Sequence, residues 1–215
     1  VTPSVPPTVP PEIVPEVSLF QEDFQDGDLS DWTLMPGWIL SLEDDNVQLS
    51  SAMPGQTAFI NDLNWQHVLL TARVALQPGN TLDVLLRSGA EAYTVTVDHH
   101  GDVRLSRGGL LLAEGPVTVV DPNAPIDPAP VWHELVLMFS GGTITIAVDG
   151  VIQINTVDAS PLPAGLTGFS TGLSNTGTVL LDDMQLQRLE APLETPTPEV
   201  VPTAETPAPL PTVTV

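Results

Sequence analysis

The chain has 215 residues, with 27 Asp and Glu against 5 Arg and no Lys, a formal net charge of −22 at pH 7; such a surface repels phosphate backbones and anionic headgroups, so no nucleic-acid partner is expected. It has no cysteine, which removes disulfides, thiolate chemistry and Cys-based zinc sites. No run approaches the roughly 18 apolar residues of a membrane-spanning helix, so no membrane span is predicted.

In chain order, residues 1–18 come first as a Pro-rich N-terminal tail, beginning at Val1 rather than Met. That start is read as the mark of a removed leader, and predicts an exported protein, extracellular or at the cell surface. Of the 23 prolines, 13 fall in residues 1–18 and 191–215, a composition that favours polyproline II and builds no core. Val5, Val9 and Ile13 are the apolar positions through which this tail would dock on another surface. Thr2, Ser4 and Thr8 beside proline are O-glycosylation candidates, and no Asn-x-Ser/Thr site exists in the chain.

From residue 19 to 190 the pattern changes to period two. Phe20, Glu22 and Phe24 share one face of a first strand, and Thr81–Arg87, Tyr93–Asp98, Asp102–Arg107 and Thr143–Asp149 alternate apolar and polar residues. Asp26-Gly27, Pro36-Gly37, Pro54-Gly55, Pro78-Gly79, Gly108-Gly109, Gly141-Gly142 and Asp149-Gly150 punctuate these runs as turns. The pattern predicts an all-β domain, an antiparallel two-sheet jelly-roll sandwich, large enough to bury a core without staples. Residues 191–215 then return to Pro and Thr. Val200, Val213 and Val215 are docking positions there, with Thr195, Thr197, Thr203, Thr206 and Thr212 as further O-glycosylation candidates.

The landmarks of the body fall in a recognisable order. They run Asp23-Phe24, Asp26-Gly27, Asp31-Trp32, Gly37-Trp38, Arg87, Tyr93-x-Val95-x-Val97-Asp98, Gly101-x-Val103-x-Leu105, Trp132-His133-x-Leu135, Asp149-Gly150, Asp158-x-x-Pro161-Leu162, Gly165-x-x-Gly168 and Leu181-Asp182-Asp183. Over about residues 19–189 this resembles the concanavalin A-like lectin and glucanase superfamily, in the laminin-G-like branch of bacterial secreted proteins. The resemblance implies a jelly roll whose members include sugar-binding modules, glycosidases and structural domains, so the fold leaves the function open.

A glycosidase needs two carboxylates about 5–10 Å apart around one bond, and the resembled glucanases carry them as a Glu-x-Asp-x-x-Glu or Glu-x-Asp-x-Glu run. No such run occurs, so no enzyme is expected. Glu43-Asp44-Asp45 reads as a turn, and Asp83 stands alone on its strand. Of the four histidines, His99-His100 reads as a hairpin loop and His133 as structural. Alternation groups Leu180, Asp182, Met184 and Leu186 and aims Glu22 and Asp182 at the interior. The resemblance sets first and last strands side by side, where related jelly rolls hold a structural calcium; Glu22, Asp23 and Asp182, with Asp45, are the candidate ligands. The competing reading gives both carboxylates N–H donors instead. Asp26-x-Asp28-x-Ser30 starts like an EF-hand loop but lacks its Gly and Glu. For glycan binding, Trp65 is the aromatic without a landmark role, and Arg87, Arg104 and Arg107 are candidates to line a polar groove.

Three functions follow. The leading expectation is an exported structural subunit that self-assembles into a filament or surface layer through tail-to-body contacts with other copies. Thr212-Val213-Thr214-Val215 would add to a sheet edge in such a homopolymer. The alternative is a non-catalytic carbohydrate-binding or adhesion module on Pro-rich stalks. The third is a hydrolase with an unrecognised site.

Overall fold

A computed structural model describes residues 19–119, 121 and 127–190. The two tails lie outside the described residues, and with them every docking and glycosylation position assigned to residues 1–18 and 191–215. Among the described residues every regular element is a strand, as the alternation predicts. Numbered along the chain, one sheet runs β13 (Val151–Val157), β12 (Thr143–Val148), β11 (Val131–Ser140), β6 (Val68–Leu76), β15 (Val179–Arg188), β4 (Asn46–Ser51) and β3 (Trp38–Glu43), with β1 (Leu19–Glu22) beside β15. The second runs β10 (Leu110–Glu114), β9 (Val103–Arg107), β8 (Tyr93–Asp98), β7 (Thr81–Ser88), β14 (Gly165–Thr171), β5 (Thr57–Trp65) and β2 (Trp32–Leu34). Every recorded strand pairing is antiparallel.

The inner faces close on each other. Leu82, Val84 and Leu86 of β7, Tyr93, Val95 and Val97 of β8, and Leu135, Leu137 and Phe139 of β11 are fully buried in one core with Phe24, Trp32, Trp38 and Phe169. Each such side chain contributes about 1.5–3 kcal/mol of transfer free energy, so the paired sheets hold together without covalent links. The hairpins carry their expected turn chemistry. Asp149-Gly150 has φ of 51° and 75°, and Asp44-Asp45, joining β3 to β4, has φ of 48° and 66°, the positive pair that matches strand twist in a two-residue turn.

First and last strands lie side by side as expected, Leu19 opposite Gln187 and Glu22 opposite Met184. The simple alternation of β15 fails, however. Val179 and Leu181 enter the core, and so do Met184 and Leu186, because Asp182 registers with Arg73 and Gln185 with Thr71, leaving two residues where β6 has one. Asp183 takes φ of 44° at this bulge. The bulge reverses the inward face, so Leu180 and Asp182 do not share a face with Met184 and Leu186.

Candidate functional site

The structure sets Asp182 apart from the other two proposed metal ligands. Glu22 Oε1 accepts the Phe24 N–H at 2.7 Å and Oε2 the Trp32 indole N–H at 3.4 Å. Burial at the strand end pushes the Glu22 carboxyl upward against those two bonds. Asp182, turned by the bulge, accepts from Asn46 Nδ2 at 2.7 Å and from the Asp183 N–H at 2.8 Å. Asp23 takes the Gln25 N–H at 3.1 Å. Glu22, Asp23, Asp26 and Asp183 line an open pocket of about 370 Å³ beside β1, and Asp182 is not among its walls. Calcium needs six to eight oxygens in one shell; among the described residues no three His, Cys, Asp or Glu side chains form a metal group. As placed, Glu22, Asp23 and Asp182 make no common shell, and each accepts an N–H as in the competing reading. Asp26 and Asp28 likewise accept the N–H groups of Asp28 and Ser30, both at 2.8 Å, as local turns.

The glycan candidates divide. Arg87 is 2% exposed at φ 51°, and its guanidinium donates to the Leu162 and Gly141 carbonyls at 3.1 and 2.9 Å beneath the Tyr93 and Phe139 rings. It is a pin between loops and lines no surface groove. Arg107 belongs to the same end of the sandwich, donating to Asp158, Glu91 and the Ser160 carbonyl. Between these two, the Tyr93 hydroxyl donates to Asp158 at 2.6 Å and accepts the Leu162 N–H at 3.2 Å. Trp65 packs against the core, because β5 breaks register at Asp62, whose φ is 58°. Strict alternation from Leu86 and from Ile60 would point Arg87 and Trp65 outward, and these irregularities turn them in.

Arg104 alone stays on an open face, the outer side of the seven-stranded sheet. Two neighbouring rows of residues cross the strands there. One row is Thr33, Phe59, Gly168, Leu85, Thr94 and Ser106. A Cβ added at Gly168 would collide with Cδ1 and Cε1 of Phe59, so the ring lies across the bare glycine, half-buried beside Leu85. The other row is Thr57, Ser170, Asp83, Thr96, Arg104 and Glu114. Thr96 donates to Asp83 at 2.5 Å, and burial raises the Asp83 carboxyl above its usual range against that bond. Arg104 Nε meets Glu114 at 2.6 Å. Thr81, Thr96, Asp98, Asp102, Arg104 and Glu114 line an open pocket of about 180 Å³ at this end of the row.

An apolar shelf beside a row of hydroxyl and carboxylate groups can stack one face of a ring and exchange hydrogen bonds with its rim. Asp83 entered the sequence reading only as a lone carboxylate and Phe59 escaped it, although Ala58-Phe59-Ile60 alternates and its two small-and-aliphatic flanks face the core, which is signal enough to place Phe59 outside. The histidines sit as expected. His133, 6% exposed, lies 2.8 Å from Asp149 and 3.2 Å from the His99 carbonyl, and His99-His100 forms the turn between β8 and β9.

No protein-family model and no curated protein matches the sequence. Solved structures do match. A Bacillus subtilis protein of unknown function with a galectin-like fold superposes with a TM-score of 0.62 at 13% identity, covering 80% of this chain and 96% of that one. Carbohydrate-binding module CBM66 from Bacillus subtilis gives 0.54 at 17% identity, over 72% of this chain and 94% of the other. A prokaryotic β-1,3-1,4-glucanase (lichenase) derived from a mouse hindgut metagenome gives 0.54 at 16% identity, over 80% and 99%. The fold is thus the concanavalin A-like jelly roll that the landmark order resembled.

Proposed function

We propose that the body is a non-catalytic carbohydrate-binding module of an exported protein, and that the outer face of the seven-stranded sheet holds the sugar. The observation that carries this reading is the Phe59 ring laid across Gly168 beside the Asp83–Thr96 and Arg104–Glu114 pairs. An aromatic shelf offers a sugar ring its apolar contact, and the adjoining row supplies hydrogen-bonding groups that sort its hydroxyls. The carbohydrate-binding module and the glucanase among the structural neighbours support the same class of ligand.

Two features favour binding without hydrolysis. Asp83 is the single carboxylate of β7, with Thr96 as its hydrogen-bond donor. Asp98 is committed to its turn, accepting the His100 and Asp102 N–H groups at 2.8 and 3.0 Å. A retaining or inverting pair needs one acid and one base free to face the same bond. The tail-mediated polymer expected from the sequence rests wholly on residues outside those described, whereas the binding face lies among the described strands.

A glycan array read with the wild-type chain and with Phe59→Ala tests the reading. Signal on at least one glycan, lost by tenfold or more in the variant with the melting temperature kept within about 5 °C, is the expected result. Silence of the wild type across the array removes the carbohydrate function. Release of reducing ends from a bound glycan would replace a binding module with a hydrolase.

A further inference from the structure

Building on that carbohydrate reading, we propose that this face selects uncharged oligosaccharides and rejects chains bearing uronate, sulfate or sialate. The inference comes from where the chain places its few cations. Of the arginines, Arg73 lies on the other sheet, 3.0 Å from Asp183 and stacked on Trp132. Arg87 is buried, Arg107 is held by Glu91 and Asp158, and Arg188 ends β15 in the opposite sheet. Arg104 alone reaches the binding face, and Glu114 holds it at 2.6 Å.

The acids are distributed the other way. Asp98, Asp102 and Glu114 line the pocket, and Asp83 stands in the adjoining row. With Arg104 offset by Glu114, Asp83, Asp98 and Asp102 remain on the face without an ion-pair partner among the described residues, Asp98 and Asp102 each holding backbone N–H groups as well. Anionic sugars are recognised by guanidinium forks or clustered N–H donors, and the cation best placed to form one is already paired. Carboxylates accept and never donate, so the ligand matched to them carries donors, which means free hydroxyls. Thr81, Thr96 and Ser170 complete a rim that both donates and accepts.

Size enters as well. From Phe59 on β5 to Arg104 on β9 the rows cross four strand spacings, about 19 Å, longer than a single sugar ring. A linear chain laid across the strands would rest one residue on the Phe59 shelf and others over Asp83 and the pocket. A negative group on such a chain meets each of Asp83, Asp98 and Asp102 at a cost of about threefold in affinity for a separation of about 6 Å in water, hence about thirtyfold for three before salt screens them.

The experiment takes glycans that differ in charge on one backbone, methyl-esterified polygalacturonate against polygalacturonate and xylan against glucuronoxylan, preceded by an array spanning neutral, uronate, sulfated and sialylated members. Titration calorimetry at low and at physiological salt reads the ratio of neutral to anionic affinity. A ratio of about tenfold or more in favour of the neutral member, narrowing as salt rises, is expected. Glu114→Gln frees Arg104 and should narrow the ratio about threefold, while Arg104→Gln should widen it by a similar factor. Anionic glycans that bind as tightly as neutral ones, or a ratio indifferent to both substitutions, overturn the charge selection and leave the carbohydrate reading standing. Absence of any glycan binding overturns that reading and this inference together.

Discussion

Replacing Arg87 is expected to destabilise the sandwich more than any surface change, through a countable set of contacts. Its guanidinium donates to the carbonyls of Leu162 and Gly141, so Arg87→Ala leaves two acceptors without their donors. A lost hydrogen bond to a charged group costs about 1.5–3 kcal/mol. The Tyr93 and Phe139 faces, 5.6 and 5.9 Å from the guanidinium carbon, add about 0.5–2 kcal/mol. Against this, Arg87 Nε is buried with no hydrogen-bond partner, and removing a buried charge returns several kcal/mol of desolvation. The balance is a loss of about 3 kcal/mol, which for a domain of this size lowers the melting temperature by about 6–12 °C. Arg87→Gly should fall less than Arg87→Ala, because φ of 51° is costly for any side chain and free for glycine. Calorimetric melting at pH 7 measures both. An Arg87→Ala protein melting within 2 °C of wild type would refute the pin, and an Arg87→Gly protein less stable than Arg87→Ala would refute the backbone part.

Tyr93→Phe removes the hydroxyl shared by Asp158 and the Leu162 N–H, and should cost about 1–2 kcal/mol by chemical denaturation. The same hydroxyl, with the Ser160 N–H and Arg107, holds the Asp158 carboxyl below its ordinary value. That stabilisation is present above the unfolded carboxylate pKa of about 3.9 and is lost as pH falls through the folded value, so the wild type should lose more stability than Tyr93→Phe between pH 4 and 2. Asp83 has the opposite sign. Burial raises its pKa, so the penalty is absent below the unfolded value and full above the folded one. Asp83→Asn should therefore raise the melting temperature at pH 7, with the gain fading towards pH 3; a loss at pH 7 would contradict the burial argument. Melting with and without chelator should give the same midpoint, since Glu22, Asp23 and Asp182 are supplied with N–H donors. A fall of several degrees on chelation would restore the calcium shell.

Period-two patterning was enough to write the all-β class, the antiparallel sandwich, the hairpins at Asp44-Asp45 and Asp149-Gly150, and the core faces of β7, β8 and β11. Alternation of apolar residues is a local property, and burial of one face is its direct consequence. The ordering of β1 against β15 came from the landmark resemblance. What sequence left open was decided wherever a strand departs from ideal pleating. The bulge at Asp183 turned Asp182 from the expected interior partner of Glu22 into an acceptor for Asn46. Positive φ at Arg87 and Asp62 sent Arg87 and, farther along β5, Trp65 inward. Phe59, Gly168, Asp83 and Arg104 lie on four different strands, 109 residues apart at the extremes by number, and become neighbours only through the order β9-β8-β7-β14-β5. Strand order is set by packing over the whole chain, so a binding face assembled across it has no local signature in any one segment.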